Sequence, residues 1–221
     1  KSNDFENILI IADDGSTDGT LKFISKIESK NIIAIRNNRA GISKQTNSLF
    51  RKSLSIGFDY AFKCDDDIWF KKYGWQELYI GAIVNSNYSH LCYHNKKWLN
   101  PKRDTVVKGL LRAQVSVLDY MGCFWSFTPN VLKKIGLFDE RNFGFMGHEH
   151  IDFSMRCCRA GFNERINFFD ADGSNEYIDM IYKNEGYVGS LRGSDSKMAR
   201  VSHEDQKRRW AIIFNESRIK I

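Results

Sequence analysis

Lys63-Cys64-Asp65-Asp66-Asp67-Ile68-Trp69-Phe70 decides how the rest of this chain is read. Three consecutive carboxylates follow Asp59-Tyr60-Ala61-Phe62-Lys63-Cys64, a run that reads as a strand. Ile68-Trp69-Phe70 comes next, so the triplet is held between segments with reason to be buried. Carboxylates packed side by side raise each other's pKa unless a positive charge sits among them. A divalent cation is the common answer. Hard cations such as magnesium take carboxylate oxygens together with phosphate oxygens of a bound substrate. The C-terminal end of a strand is also where open α/β sheets bind ligands. A solvated acidic turn is the plainer reading of an isolated Asp-Asp-Asp, but the apolar flanks favour a site.

Upstream, Ile8-Leu9-Ile10-Ile11-Ala12 is a continuous apolar run, the pattern of a strand buried on both faces. It runs into Asp13-Asp14-Gly15-Ser16-Thr17-Asp18-Gly19-Thr20. There Ser16 or Thr17 suits a helix N-cap, and Asp18 suits the positive first turn. Leu21, Ile24 and Ile27 follow at helical spacing. Residues 31–35 read as a second strand, and Ser43 as the cap of a helix with Ile42, Thr46, Leu49 and Phe50 on its inner face. The third strand delivers the triplet. Strands alternating with helices of this length imply an α/β fold with a mostly parallel, doubly wound sheet. A strand, an acidic loop and a helix make up half of a nucleotide-binding βαβ unit.

The chain has 221 residues, 42% hydrophobic and 14% aromatic, with two prolines, so it can bury a substantial core. No apolar run approaches the roughly 18 residues that cross a bilayer. The formal charge is +6 and the pI about 9.0. The groups Lys96-Lys97, Lys102-Arg103 and Lys207-Arg208-Arg209 read as solvated faces, and nucleic acid is not the expected partner. A basic surface also draws in anionic substrates or rests on an anionic membrane leaflet. Five cysteines with no Cys-x-x-Cys pair point to reduced thiols and a cytoplasmic setting.

Downstream, residues 149–160 read as a helix with Glu149, Asp152 and Arg156 on one face, Ile151, Met155 and Cys158 on the core side, and Gly161 as C-cap. Glu149 and His150 then stand at its N-terminus, after a loop, 142–147, that contains two glycines and two phenylalanines. Gly74 to Val84 reads as an amphipathic helix. His90, Cys92 and His94 alternate on a strand, but packed histidines are a better reading than a zinc site with no fourth ligand. Asp170-Ala171-Asp172-Gly173 lacks the spacing of a calcium loop. Residues 189–194 read as a mobile loop, with His203 beyond it.

Taken together these motifs resemble the family 2 type of glycosyltransferase with the GT-A fold. The resemblance rests on Ile10-Ile11-Ala12-Asp13-Asp14-Gly15-Ser16, on Asn38-Arg39-Ala40-Gly41-Ile42-Ser43 with Asn47, and on the aspartate triplet. It continues in Met121-Gly122-Cys123-Phe124-Trp125-Ser126-Phe127, Ile135-Gly136-Leu137-Phe138-Asp139-Glu140 and Gly147-His148-Glu149-His150-Ile151-Asp152. The family's opening strand and helix, which carry part of a uridine pocket, have no counterpart before Phe5, so a longer chain is expected. Thr46 stands where the family often has Arg, and Lys44 is the replacement for that diphosphate contact. His150 stands where the family places Asp.

The resemblance implies a single GT-A domain over 1–221, Rossmann-like, with a small antiparallel region on the acceptor side. Residues 1–70 form the nucleotide-binding half, 71–165 the acceptor and catalytic half, and 166–221 a C-terminal extension. It implies transfer of a hexose or N-acetylhexosamine from a nucleotide-diphosphate sugar, UDP above all, to a hydroxyl of a glycan, with inversion. Asp13, Asp14, Lys44, Asp65 and Asp66 are the nucleotide-binding candidates. Asp65, Asp67 and His203 are those for Mn²⁺ or Mg²⁺, the register at Asp65 being preferred because the Cys64 thiol is a poor ligand for such ions. Phe124, Trp125, Phe145 and His148 are the acceptor-side candidates. Glu149 is the first candidate for general base, with His150 second because an imidazole accepts protons near neutral pH. Two other readings stay open: a nucleotidyltransferase on a similar sheet, and a non-catalytic carbohydrate-binding domain.

Overall fold

A computed structural model describes residues 6–95, 105–107, 109–113, 122–144, 147–164, 168–180 and 202–220. The chain divides into two compact units, Lys1–Phe58 with Leu137–Glu149, and Asp59–Gly136 with His150–Ile221.

In the first unit, β1 (Leu9–Asp13) and β2 (Ile32–Arg36) pair in parallel, Leu9 opposite Ile32 and Asp13 opposite Arg36. The helix α1 (Thr20–Ile27) is the crossover that a parallel pair needs. Its N-cap is Gly19 at φ 97°, rather than Ser16 or Thr17. Asp18 occupies the adjacent position and accepts from both the N–H and the hydroxyl of Thr20, at 3.1 and 2.6 Å. The 15-residue α2 (Ile42–Ile56) begins after Gly41, and Ser43 lies inside it, fully buried, instead of capping it. Thr46, Asn47 and Phe50 form its inner face. Asn47 fixes the returning segment: its amide donates to the Phe138 carbonyl at 2.9 Å and to Glu140 at 2.8 Å, and its oxygen accepts from the Phe138 N–H at 2.8 Å. Asp139 caps the short α5 (Glu140–Phe143) by accepting from the N–H groups of Arg141 and Asn142. β1 is less buried than its apolar sequence implies, with Ile8 39% and Leu9 52% exposed.

The second unit contains seven strands among the described residues, and all of its pairings are antiparallel. β3 (Ala61–Cys64) pairs with β7 (Phe124–Phe127), and β4 (Ile68–Phe70) with β9 (Ile178–Met180). β6 (Leu110–Ala113) lies between β5 (Thr105–Val107) and β8 (Phe168–Ala171). The parallel pattern read from the sequence is thus present here as one pair, β1–β2. Only Asp65–Asp67 separate β3 from β4, far too few residues for a parallel crossover. The core gathers Tyr79, Ile83, Leu91, Tyr93, Phe124, Phe169 and Ile178, including residues of α3 (Trp75–Ser86). Phe62 and Phe70 reach into it, each meeting Trp75 at ring separations of 4.9 and 4.7 Å. Trp69, next to Phe70 and on the opposite face of β4, points outward and is 61% exposed.

Among the described residues the unit also holds α4 (Pro129–Ile135), the single turn α7 (Ser174–Tyr177) and α8 (His203–Ile213), with α6 (Glu149–Arg159) entering it from His150 onward. His90 is buried, with its ring nitrogens 3.1 Å from the Ser126 carbonyl and 2.7 Å from the Ser154 hydroxyl, a packed histidine as the sequence suggested. Among the described residues, no helix is long and apolar enough to cross a membrane.

Candidate active site

The triplet sits where β3 ends and the chain turns into β4. The Asp65 N–H donates to the Cys123 carbonyl at 2.8 Å, which ties the turn to the entry of β7. Lys63, one strand repeat earlier, has a side chain only 9% exposed. Its ammonium donates to the Asp65 carboxylate and, at 2.6 Å, to the Gly122 carbonyl. Asp67 differs from its neighbours. Its Oδ1 is buried and has no hydrogen-bond partner, and its carboxyl is held above the ordinary aspartate value, first by burial and then by Asp65 and Asp66. An orphaned carboxylate oxygen beside a second carboxylate is what a hard cation would satisfy, so Asp65 and Asp67 fit Mn²⁺ or Mg²⁺. Among the described residues, no cluster of three or more His, Cys, Asp or Glu gathers to hold a metal. A magnesium-type ion is ordinarily held by one or two carboxylates plus substrate phosphates. The thiol of Cys64, a soft donor, is a poor competitor for such an ion.

Gly122 has a second role. A Cβ placed on it would lie 2.5 Å from Cγ of His150, so the imidazole rests directly on the glycine backbone. Lys63, Asp65, Gly122 and His150 thus form one contact chain. Behind His150, α6 is held by buried charges: Asp152 accepts from Arg156 at 2.8 Å and from Arg218 at 2.9 Å, and Arg156 also donates to the Ile135 carbonyl at 2.6 Å. Asp152 and Arg156 are both fully buried. The face of α6 that carries Asp152 and Arg156 is therefore structural.

In the first unit the two loop aspartates serve the backbone. Asp13, 5% exposed, accepts through Oδ2 from the N–H groups of Gly15 and Ser16, at 2.9 and 3.0 Å. Asp14 accepts through both oxygens, from Ala40 at 2.7 Å and Gly41 at 2.9 Å. It thereby holds the loop after β2 and stands at the N-terminus of α2, where a negative charge is favoured. Gly15, at φ +86°, lets that loop approach: a Cβ there would lie 3.3 Å from the Arg39 nitrogen. Lys44 is exposed on the first turn of α2. Glu149 is 5% exposed, and His148 before it adopts φ 68°, an uncommon left-handed conformation for a residue with a side chain.

Among the acceptor-side candidates, Phe124 and Trp125 are fully buried, so they shape the wall of the second unit rather than present a surface. Phe145 lies outside the described residues. His203 is the first residue of α8, which Ser202 caps. Lys63 and Gly122 were not singled out from the sequence. A lysine in an otherwise apolar strand, two residues before the first of three carboxylates, was the signal for the first; nothing local marked the second.

Residues 4–136 match Glycosyl transferase family 2. The chain belongs to this family. It is also 28% identical, over 180 residues, to an uncharacterized glycosyltransferase of Acanthamoeba polyphaga mimivirus, covering 80% of this chain and 68% of that protein. The protein is a glycosyltransferase, and membership of the family implies in general a nucleotide-activated sugar as donor and a glycan as acceptor. Its mixed α/β architecture agrees with that assignment, and the triplet of β3 and the acidic loop of β1 both lie within the matched region.

Proposed function

We propose that this glycosyltransferase uses a divalent Mn²⁺ or Mg²⁺ ion, held by Asp65 and Asp67, to transfer a hexose or N-acetylhexosamine from a UDP-sugar to a glycan hydroxyl with inversion. The buried, unpartnered Oδ1 of Asp67 beside the Asp65 carboxylate is the observation that carries the reading. When bound, the ion would neutralise charge on the diphosphate leaving group. The GT-A fold is the architecture we assign to the chain, with β1–β2 as the parallel part of its sheet.

The remaining roles belong to the chain itself. In the first unit, Asp13 keeps Oδ1 for the base or ribose while Oδ2 holds its own loop, and Lys44 offers an ammonium to the diphosphate. Asp14 acts through the loop it ties to β1. In the second unit, Asp66 adds to the negative field at the end of β3. Glu149, nearly buried at the start of α6, accepts the proton of the attacking hydroxyl. His150, fixed against Gly122, shapes the acceptor side, and His148 keeps the acceptor role that the resemblance implies. Phe145 and His203 keep the roles the resemblance implies, acceptor contact and a further metal ligand.

Calorimetry with UDP in Mn²⁺ and in EDTA tests this directly. Binding is expected in Mn²⁺ and to weaken by a factor of about 10 or more in EDTA, or in Asp67→Asn, which loses one charge-assisted contact. Equal affinity in both buffers would reject metal dependence.

A further inference from the structure

The carboxylates of residues 65–67 already have a cation among them. Lys63 and Asp65 are two apart at the end of β3, so their side chains leave on the same face. The ammonium is nearly enclosed and donates to Asp65 and to the Gly122 carbonyl. A buried ammonium is costly unless paired and hydrogen-bonded, and these two partners supply that. Gly122 is in turn pinned under the His150 ring, so the carbonyl that receives the ammonium is itself fixed. Three carboxylates and one ammonium leave a local charge of −3 + 1 = −2 when all are ionised.

We propose that Lys63 is a resident counter-ion of the triplet, a positioning residue that keeps the free enzyme's affinity for a divalent ion low and couples arrival of the metal to arrival of the diphosphate. The inference rests on the reading of Asp65 and Asp67 as metal ligands given above. A bare divalent ion approaching Asp65 meets an adjacent positive charge, in surroundings where burial strengthens the repulsion. A diphosphate brings negative charge that offsets it. Metal and nucleotide therefore bind more tightly together than singly, and by linkage each raises the affinity of the other by the same factor.

Electron paramagnetic resonance of free Mn²⁺, with and without UDP, tests the coupling in the wild type, Lys63→Met and Lys63→Arg. In the wild type, UDP is expected to tighten Mn²⁺ binding by a factor of about 10 or more, within the usual range of coupling between sites. Lys63→Met is expected to bind Mn²⁺ alone several-fold more tightly, to show a smaller UDP effect and to turn over more slowly because Asp65 has lost its anchor. Lys63→Arg, which keeps the charge, retains the wild-type coupling. Should Lys63→Met fail to fold, Lys63→Gln keeps a donor for the Gly122 carbonyl and carries the same comparison. If the neutral variant shows wild-type coupling, or loses Mn²⁺ affinity in step with its thermal midpoint, Lys63 is merely structural and the inference fails alone. If the wild type binds Mn²⁺ neither alone nor with UDP, the metal reading fails and this inference with it.

Discussion

Glu149 and His150 are consecutive residues with different surroundings. Glu149 is almost wholly buried, while His150 lies with its ring on the backbone of Gly122. A group wedged in this way is well placed to hold a shape and less well placed to change partners during a reaction. Glu149→Gln is therefore expected to lower turnover by about 10² to 10⁴ with UDP affinity unchanged, measured by single-turnover transfer alongside calorimetry. A variant that keeps most of its turnover, with His150→Ala losing it, would exchange the two roles. At this scale the sequence marked most of the candidate residues but little of what they touch. Asp14 could be read as a loop carboxylate. That both its oxygens would be taken by the amides of Ala40 and Gly41 was not legible, because those partners lie far along the chain. Lys63 reads from the sequence as a solvated strand charge, because nothing local shows that its ammonium is covered.

The helix α6 was legible almost to the residue, and its faces were not. Helical spacing put Asp152 and Arg156 on one face with Glu149 and did not show what that face meets. The helix is buried nearly all round, and the two charges satisfy each other, the Ile135 carbonyl and Arg218. Removing one member of a buried ionic group leaves its partners uncompensated, which typically costs about 3–5 kcal/mol. Asp152→Asn is expected to destabilise the fold by an amount of that order, read from the urea midpoint at constant m-value. A loss below about 1 kcal/mol would mean that solvent reaches the group. Strand direction escaped the sequence for a related reason. Apolar runs report burial and not the partner: β3 pairs with β7 and β4 with β9, strands far along the chain, whereas the short crossover α1 brings β2 back beside β1 in parallel.

For the molecule as a whole, two buried groups pull stability in opposite directions with pH. Asp170, pushed up to about 7 by burial, accepts from the Tyr79 and Ser174 hydroxyls at 2.6 Å each. Its folded pKa lies above its unfolded value near 3.9. The protonated form is thus favoured on folding, and that stabilisation is full below about pH 4 and lost as pH rises towards 7. His90, pushed down to about 4 by burial, behaves conversely: its contribution is full above about 6.5 and lost as pH falls towards 4. The wild type is expected to show a shallow stability profile across this window. Asp170→Asn removes one of the two opposing slopes, so its stability should fall more steeply than that of the wild type as the pH drops from 6.5 to 4. Denaturation at several pH values measures this; parallel profiles would show that Asp170 stays ionised throughout. The tail of the polypeptide has a practical bearing on any shortened form of the enzyme. The family match ends at residue 136, a tempting place to stop a gene fragment for expression. Yet the Ile135 carbonyl leans on Arg156, Arg156 on Asp152, and Asp152 on Arg218. A fragment cut at the edge of the recognisable sequence would keep the signature motifs and lose the keystones beneath them, so inactivity of such a fragment would report on its cutting and not on its chemistry.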